Sequence, residues 1–599
     1  MIIVAAAKNV RKNREDINMK KTVAIFLALI MSLAACGISA FAESNNPGFT
    51  EKTSSEQTSE AVHEITSAEF PLYSNMEDSG VVIPLYFLDG VTDLPYVDAD
   101  GIAFLLEGLL DFKCSMSADG SAVTFNRFND LFEVDIPMTI DFDKNVIFFA
   151  DYDLFTMNAN SSGIMDTTRL TGFNADGEPS ILQKVDNGSL ARYGKSVEIG
   201  MGDYGIDLIR QDGQYLVPLQ TVTDLFIAPC LMKTLFFNGQ CIILSDDISN
   251  CADLYYAAPT GERSGELTEF GYGELCMALD TFYGLKETHD IKSFDQLFFD
   301  TGLKELLLGE EVEWADKAIY RLIIDYFDDN HSKFLGFSYL TGPIDYSVTG
   351  VSRARMDNLR QRQLDAREKF YPDGVPGYEE IGNTAYITFD GFDIYENPED
   401  FYSVEYLMDL PDEETIALIM KAHALINRED SPIENVVLDL SINGGGVADA
   451  AIFTVAWFLG EASIGAKNTM TGAMGNTFYR ADVNRDRVFD EKDTLQGKRL
   501  FCMTSPFSFS NGNLVPCMLK ESGVVTMLGR TSGGGSCNIQ PMSSAWGTSF
   551  QISGTNRSSF FKNGSFYDVD RGADPDYTIS EPEKYYDRQA LTDYINSIY

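Results

Sequence analysis

The pattern of apolar and polar positions differs between parts of the chain. From Ser67 to Asn250, short apolar runs alternate with turns rich in Gly, Asp and Asn, which is typical of β-strands joined by tight turns. Between residues 262 and 330, apolar positions recur at helical spacing, which predicts helices with one buried face. We therefore predict a β-rich α+β domain at 67–250 and a helical segment at 262–345. Within the first domain, YVDADGIAFLL and YLVPLQTVTDLF look alike and suggest a weak internal repeat.

A strand, a glycine turn and a helix follow one another in the C-terminal part. NVVLDL, from Asn435 to Leu440, is a short apolar run of the kind found in buried strands. SINGGG comes next, and then the apolar run from Val447 to Glu461, which reads as a helix. This order predicts an α/β crossover, in which three consecutive glycines let the backbone approach a bound chain. A plain tight turn would explain the same glycines.

A second turn further along the chain contains a candidate nucleophile. A Ser/Phe-rich stretch ends at Ser510, and Asn511 opens a predicted apolar helix that extends to about Lys520. Backbone N–H groups are unpaired at a helix N-terminus and the helix dipole favours negative charge there. A serine hydroxyl at that position is therefore well placed to attack a carbonyl and stabilise the oxyanion. A serine in such a loop is by itself more often only a turn residue.

Five motifs follow one another in this part of the chain. In chain order they are TAYITFDGF (384–392), DLSINGGG (439–446), SFSNGN (508–513), LGRTSGGGS (528–536) and DRGADPD (570–576). Together they resemble the motifs of the tail-specific (C-terminal processing) serine proteases, a family that also includes the tricorn core and the interphotoreceptor retinoid-binding protein. One departure is Ser441, where the family usually has arginine. The resemblance implies a ClpP/crotonase-like α/β core over residues 380–599 and a serine endopeptidase that cleaves a polypeptide substrate.

The resemblance also suggests which residue acts as the base. Many members use a lysine in the glycine loop after the nucleophile helix, but residues 532–536 contain none. The tricorn-like branch uses a histidine from ahead of the core, oriented by a late carboxylate. Of the four histidines, His331 lies in a turn that resembles the Asp-x-His turn of that branch. An imidazole titrates near neutral pH, as a general base requires. The alternative is that His331 only caps the preceding helix.

The remaining catalytic groups are implied by the same resemblance. The orienting acid would be Asp570, with Asp568 as the second choice, although the family usually has glutamate there. Either aspartate could instead be a solvated turn carboxylate. The oxyanion donors would be the backbone N–H groups of Asn511 and of Gly445 or Gly446.

A separate acidic stretch, DVNRDRVFDEKD, has the spacing of an EF-hand-type calcium loop. Two features argue against calcium: Arg487 occupies the sixth position, where glycine is expected, and the twelfth is Asp rather than Glu. A solvated acidic turn is the alternative. No cofactor is required for the proposed chemistry, so calcium would be structural. Its ligands would be Asp482, Asn484, Asp486, the Val488 carbonyl, Asp490 and Asp493.

The N-terminal stretch has the features of a bacterial export signal. Two lysines after Met19 precede an apolar run from Val23 to Ala35, which is too short to span a bilayer. LAAC then resembles a lipobox in which Cys36 is lipidated, and cleavage after Ala42 is the alternative. We therefore expect an extracellular protein anchored to the outer face of a bacterial membrane. The boundaries are 1–42 for the signal or lipoprotein segment and 43–66 for a Ser/Thr/Glu-rich tether.

Composition narrows the class of partner. The chain has 599 residues, 44% of them hydrophobic, and a formal net charge of −45. Length and hydrophobic content indicate a globular protein of two to four domains. The charge argues against nucleic acid or an anionic membrane surface as a partner, because phosphate binding needs clustered Lys and Arg. Besides the endopeptidase, two functions remain open: a non-catalytic binding protein on the same core, and a crotonase-type enzyme with a coenzyme A pocket.

Overall fold

The computed structural model describes residues 62–130, 132–157, 168, 170, 180–327, 329–344, 351–394, 400–410, 414–562 and 565–598. The predicted signal or lipoprotein segment 1–42, with Cys36, and the tether up to residue 61 lie outside these ranges. Within them, every helix is too short or too polar to cross a lipid bilayer.

Strands account for much of the described chain. In chain order they are β1 (Ile65–Ser74), β2 (Glu77–Leu88), β3 (Tyr96–Asp98), β4 (Lys113–Asp119), β5 (Ala122–Asn129), β6 (Val134–Asp141), β7 (Val146–Phe149), β8 (Leu182–Arg192), β9 (Val197–Gly200), β10 (Ile209–Gln211), β11 (Gln214–Pro218), β12 (Thr234–Phe237), β13 (Ile242–Ser245), β14 (Lys333–Gly336), β15 (Tyr378–Ile381), β16 (Thr384–Thr388), β17 (Asn435–Asp439), β18 (Ala462–Asn468), β19 (Met474–Ala481), β20 (Arg499–Thr504), β21 (Val525–Gly529), β22 (Cys537–Ser543), β23 (Ser549–Ser559), β24 (Phe561–Lys562), β25 (Ser565–Phe566) and β26 (Tyr577–Thr578).

The α-helices lie between these strands. In chain order they are α1 (Ala99–Phe104), α2 (Tyr152–Thr156), α3 (Leu219–Val222), α4 (Ala228–Leu231), α5 (Ala252–Tyr255), α6 (Gly265–Phe282), α7 (Phe294–Thr301), α8 (Leu303–Leu307), α9 (Val312–Arg321), α10 (Val351–Phe370), α11 (Asp400–Ser403), α12 (Thr415–Ile426), α13 (Ala448–Leu459), α14 (Asn511–Ser522), α15 (Glu583–Tyr586) and α16 (Arg588–Ile598). Short π-helices occur at Leu105–Leu109, Thr223–Ile227 and Leu322–Tyr326, and 3₁₀-helices at Met201–Tyr204, Ile248–Cys251, Leu407–Asp409, Glu491–Asp493 and Val569–Arg571.

The chain divides into two compact units that do not follow chain order. The first comprises the described residues up to 163, then 196–245 and 264–274. The second comprises residues 164–195, 246–263 and those from 275 onward. The predicted β-rich stretch 67–250 thus contributes to both units. The reason is that β8 pairs antiparallel with β19, far along the chain, and this pairing places β8 in the second unit.

The first unit is β-rich, as the apolar runs predict. One of its sheets has the order β10-β11-β3-β2-β1-β13-β12 and another the order β4-β5-β6-β7-β9. The two similar sequence pieces form equivalent structures, since β3 leads into α1 and a π-helix, and β11 into α3 and a π-helix. These two strands pair antiparallel, with Val97 opposite Val217. The repeat seen in the sequence is therefore present in the fold.

The second unit contains an α/β sheet with the order β15-β16-β17-β20-β21-β26. The strands from β16 to β26 are parallel, so their carboxyl ends lie at one edge. Side chains alternate between its two faces, as a strand requires. Val436 and Leu438 belong to the core formed with α12, α13 and α14, whereas Val437 packs in the core formed with α10, α15 and α16. The α/β class, preceded by a β-rich region, is confirmed.

A second sheet of the same unit has the order β14-β23-β18-β19-β8, and β22 also pairs with β23. Strand β14 belongs to the predicted helical segment and begins two residues after His331. It pairs antiparallel with β23, with Lys333 opposite Gln551 and Phe334 opposite Phe550. This pairing attaches the turn that carries His331 to the C-terminal part of the chain.

Buried Asp316 of α9 strengthens the same attachment. Its side chain accepts hydrogen bonds from the backbone N–H of Ser338 at 3.1 Å, the Thr341 hydroxyl at 2.7 Å and the Trp546 indole at 3.2 Å. The hydroxyl of Thr548 donates to it as well. Because a buried polar group without a partner costs about 1–3 kcal/mol, a carboxylate that serves several donors links the elements that hold them. Asp316 therefore joins α9 and the segment after β14 to the loop between β22 and β23.

Candidate active site

The loops after β16, β17, β20 and β21 meet at one edge of the parallel sheet. The Gly444 N–H donates to the Asp390 carbonyl at 2.9 Å, and the Phe509 N–H donates to the Asn443 carbonyl at 3.0 Å. The Gly533 N–H donates to the Ser508 carbonyl at 2.8 Å. The carboxyl ends of parallel strands are where ligands bind in open α/β sheets. The sequence motifs at 439–446, 508–513 and 528–536 thus lie side by side in the expected place for a site.

Ser510 has an unusual backbone conformation at the start of α14. Its φ is 57° and its ψ is −125°, which is uncommon for a residue with a side chain and carries strain. The helix after it confirms the predicted apolar helix. The Ser510 carbonyl accepts hydrogen bonds from the N–H groups of Asn513 and Leu514, each at 2.9 Å. Its hydroxyl makes no capping hydrogen bond to the described first turn, so the side chain is not used to begin the helix.

The glycines after β17 pack directly against Ser510. Gly445 has a φ of 105°, and a Cβ added there would lie 2.6 Å from the Ser510 Cβ and 3.1 Å from its Oγ. Gly446 has a φ of 135°, and its added Cβ would lie 2.3 Å from the Phe392 carbonyl oxygen. Both positions therefore require glycine, for conformation and for space. These glycines are more than a plain turn, because their lack of side chains lets the loop contact the candidate nucleophile.

One of the predicted oxyanion donors is already engaged. The Gly445 N–H donates to the Asn443 side-chain oxygen at 2.9 Å. The Asn511 side chain donates to the Gly446 carbonyl at 2.7 Å and so ties the helix start to the glycine loop. Of the two glycines, Gly446 is the better candidate for the second donor. The backbone N–H of Asn511 remains the predicted first donor.

His331 lies beside the nucleophile turn. Its ring packs edge-on against Phe509, the residue before Ser510, with 4.6 Å between the ring centroids. Asp329 fixes the turn by accepting from the His331 N–H at 2.9 Å and from the Ser332 hydroxyl at 2.6 Å. The preceding helical turn ends with Phe327 as its C-cap, whose backbone N–H donates to the Leu322 carbonyl at 2.9 Å. The His331 ring is buried and its Nδ1 has no hydrogen-bond partner in the described chain.

The surroundings favour the neutral form of His331. Burial lowers the pKa of the imidazole below its ordinary value of 6.5. The negative charges of Asp329 and Asp570 oppose this, and the positive charge of Lys333 adds to it. A neutral imidazole near neutral pH is the form that can accept a proton.

Asp570, the predicted acid, uses its hydrogen bonds elsewhere. One carboxylate oxygen accepts from the Gly535 N–H at 3.0 Å and the Ser536 N–H at 2.8 Å. The other accepts from the Ser536 hydroxyl at 2.6 Å and from the Arg557 guanidinium. Burial raises the pKa of Asp570, but the Arg557 charge and the Ser536 bonds outweigh it and hold the pKa below 3.8. Asp570 is thus an anion that acts on His331 through its charge rather than through one of these bonds.

Asp568, the second candidate acid, lies at the surface. It accepts from the Arg557 guanidinium at 2.7 Å and lies 3.5 Å from the Arg571 guanidinium. Sequence reasoning missed Arg557 and Ser536, which connect Asp570 to the glycine loop. Ser536 ends a motif that could have drawn attention to it. Arg557 lies near the end of β23, opposite Cys537 of β22, and only strand pairing brings it to the site.

Two carboxylates of the predicted calcium loop accept hydrogen bonds from other groups of the protein. Buried Asp482 accepts from the Tyr402 hydroxyl at 2.6 Å and from the Arg487 N–H at 2.8 Å. Asp493 accepts from the N–H groups of Val483 at 2.8 Å and Asn484 at 3.0 Å. Arg487 takes the left-handed conformation expected at the sixth position, with a φ of 62°. In the described part of the chain, no group of three or more His, Cys, Asp or Glu residues is arranged to hold a metal ion. Calcium binding stays a prediction.

Comparison with known proteins identifies the C-terminal part. Residues 384–579 match the model of peptidase family S41. No curated protein matches the chain. Among solved structures, the photosystem II D1 C-terminal processing protease is similar at 14% identity and a TM-score of 0.25, covering 35% of this chain and 46% of that one. A lipoprotein from Streptococcus agalactiae is similar at 11% identity and a TM-score of 0.31, covering 57% and 97%. The tricorn protease is similar at 12% identity and a TM-score of 0.30, covering 89% and 58%.

The family match, together with the motifs at the sheet edge, supports a serine-type peptidase domain in this part of the chain. The match to peptidase family S41 covers residues 384–579, about a third of the chain. The chain spans less than half the length of the photosystem II protease.

Replacing Gly445 by alanine should impair the site without unfolding the protein. The new Cβ would lie 2.6 Å from the Ser510 Cβ, so the nucleophile turn must shift. A displacement of about 1 Å can cost on the order of 100-fold in rate, and we expect a loss of that size in kcat/KM on labelled casein. The matched control is Gly472→Ala, which also has a positive φ, of 75°, but has nothing within 4 Å of its added Cβ. Equal activity in the two variants would contradict the close approach.

Proposed function

We propose that the protein is a secreted, lipid-anchored serine endopeptidase in which Ser510 is the nucleophile and His331 the general base. The observation that supports it most directly is the packing of the His331 ring on Phe509, next to Ser510. In this proposal Asp570, with Asp329, supplies the negative charge that stabilises the imidazolium as it forms. The substrate class is a polypeptide chain.

The proposed reaction follows the acyl-enzyme route of serine hydrolases. Neutral His331 accepts the hydroxyl proton of Ser510 while the oxygen attacks the carbonyl carbon of the peptide bond. The oxyanion that results accepts hydrogen bonds from the N–H groups of Asn511 and Gly446. His331 then gives its proton to the leaving amine, and the C–N bond breaks. Water hydrolyses the acyl-Ser510 ester by the same route, with His331 again as the base.

The low pKa of Asp570 suits this role. An acid that stays ionised throughout the working pH range offers a constant negative charge to His331. Because its own bonds go to Ser536 and Arg557, it contributes as a fixed charge and does not need to exchange a proton.

Removing the Ser510 hydroxyl should abolish hydrolysis. With the full chain expressed in a bacterial host, we expect the membrane fraction to cleave labelled casein and Ser510→Ala to reduce this by about 10⁴-fold or more, since the nucleophile is lost. Circular dichroism should show the fold unchanged. Casein cleavage by Ser510→Ala at the wild-type rate would remove the assignment of Ser510 as the nucleophile.

Replacing the lipidated cysteine should release the activity from the membrane. In the same assay, Cys36→Ser should move the casein-cleaving activity out of the membrane fraction. Activity that stays membrane-bound in Cys36→Ser would contradict the lipid anchor.

The pH dependence should reflect the lowered pKa of His331. The base works only when neutral, so kcat/KM should rise with pH through the His331 pKa and level off above it. Because burial lowers that pKa below 6.5, half-maximal kcat/KM should fall below pH 6.5. The pH profile of casein hydrolysis measures this directly. A midpoint at pH 7 or higher would show that His331 is not the buried base described above.

A further inference from the structure

Arg557 connects several polar groups next to the site, although it lies outside the sequence motifs. Its Nε donates to the Ser536 hydroxyl at 2.8 Å, and its Nη2 donates to Asp568 at 2.7 Å and also to Asp570. Its side chain is only 12% exposed. A guanidinium in this position offers donors in a rigid planar fork that can serve several acceptors at once.

The hydrogen bonds that Asp570 accepts attach its carboxylate to the glycine loop of residues 533–536. An ionised carboxylate has about four acceptor positions. In Asp570 they are filled by the N–H groups of Gly535 and Ser536, the Ser536 hydroxyl and Arg557. The carboxylate therefore cannot take another donor without losing one of these. As long as Arg557 holds Asp570 and Ser536, residues 533–536 are fixed to β23.

The same loop supports both catalytic candidates. The Gly534 carbonyl accepts the Ser510 N–H at 2.9 Å. Gly535 has a φ of 93° and lies so close to the Phe509 ring that an added Cβ would be 2.6 Å from it. Phe509 in turn is the surface on which the His331 ring packs. The position of this loop therefore determines where the Ser510 backbone lies and where the Phe509 ring lies, against which the His331 ring packs.

We propose that Arg557 is a positioning residue, which acts through Ser536 and Asp570 to hold the 533–536 loop against Ser510 and Phe509. This inference rests on the proposed peptidase function. Arg557 touches none of the reacting atoms. Its effect is to fix the geometry in which His331 and Ser510 meet, so its loss should slow the chemical step more than it weakens substrate binding.

The test compares Arg557→Met with Arg571→Met in the full chain. Arg571 also pairs with Asp568, at 3.5 Å, but its side chain is 87% exposed and, in the described chain, makes no hydrogen bond to Asp570 or Ser536. We expect Arg557→Met to lower kcat on casein by on the order of 100-fold, with KM changed by less than about threefold. Arg571→Met should behave as wild type. Arg557→Lys, which keeps the charge but not the planar fork, should recover only part of kcat.

Hydrogen exchange of the backbone amides provides a readout that does not depend on catalysis. In Arg557→Met the amides of Gly535 and Ser536 should exchange faster than in wild type, because their acceptor is no longer held. If Arg557→Met does not fold, Ser536→Ala removes the hydroxyl bonds to Asp570 and to Arg557 Nε while keeping both charges and the backbone N–H bond to Asp570. It should change the exchange rates and kcat in the same direction.

The outcomes separate this inference from the proposed function. If wild type cleaves casein and Arg557→Met retains wild-type kcat, the positioning role is overturned while the peptidase function stands. Unchanged exchange at residues 535 and 536 overturns it as well. If wild type and Ser510→Ala are equally inactive, the proposed function fails. Faster exchange in Arg557→Met would then show that Arg557 holds the 533–536 loop in a protein that has no peptidase activity.

Discussion

The site depends on one steric constraint, the close approach of two glycine loops to a serine with a strained backbone. Ser510 begins α14 with a positive φ, and Gly445 lies against its side chain. On the other side the Gly534 carbonyl accepts its N–H. Side chains at these glycines would displace the turn that carries Ser510. The glycines of the two motifs therefore serve the same purpose, which is to let both loops lie against this turn. Strain of this kind persists only where the surrounding structure holds it, and both loops are anchored at the carboxyl edge of the parallel sheet.

The candidate base comes from outside the stretch that matches the family model. His331 precedes residue 384 by a long interval, yet it belongs to the same compact unit as Ser510. Pairing of β14 with β23 and the hydrogen bonds of Asp316 attach its turn to the peptidase part. In the proposed mechanism, the edge of the sheet supplies the nucleophile and the oxyanion donors, while a separate segment supplies the imidazole.

Local sequence patterns predicted the elements around the site well. The apolar runs at Asn435–Asp439, Ala448–Leu459 and Asn511–Ser522 form the expected strand and helices. They could be predicted because the length and spacing of the apolar residues within each run indicate the type of element and its burial. The placement of β8 in the second unit was not predictable, since it depends on pairing with a strand far along the chain. The same reason explains why Arg557 was missed and why the hydrogen bonds of Asp570 to the glycine loop were not foreseen. Such contacts depend on strand register, which no local pattern specifies.

The central claim is that the buried imidazole of His331 activates the Ser510 hydroxyl. The most direct test is labelling of the folded protein with a fluorophosphonate, followed by peptide mapping by mass spectrometry. We predict that wild type carries the label on Ser510 and that His331→Ala, with an unchanged fold, is labelled at least about 100-fold more slowly, as expected for loss of a general base. Labelling of Ser510 at the same rate in both proteins, or no labelling of Ser510 in wild type, would contradict the claim.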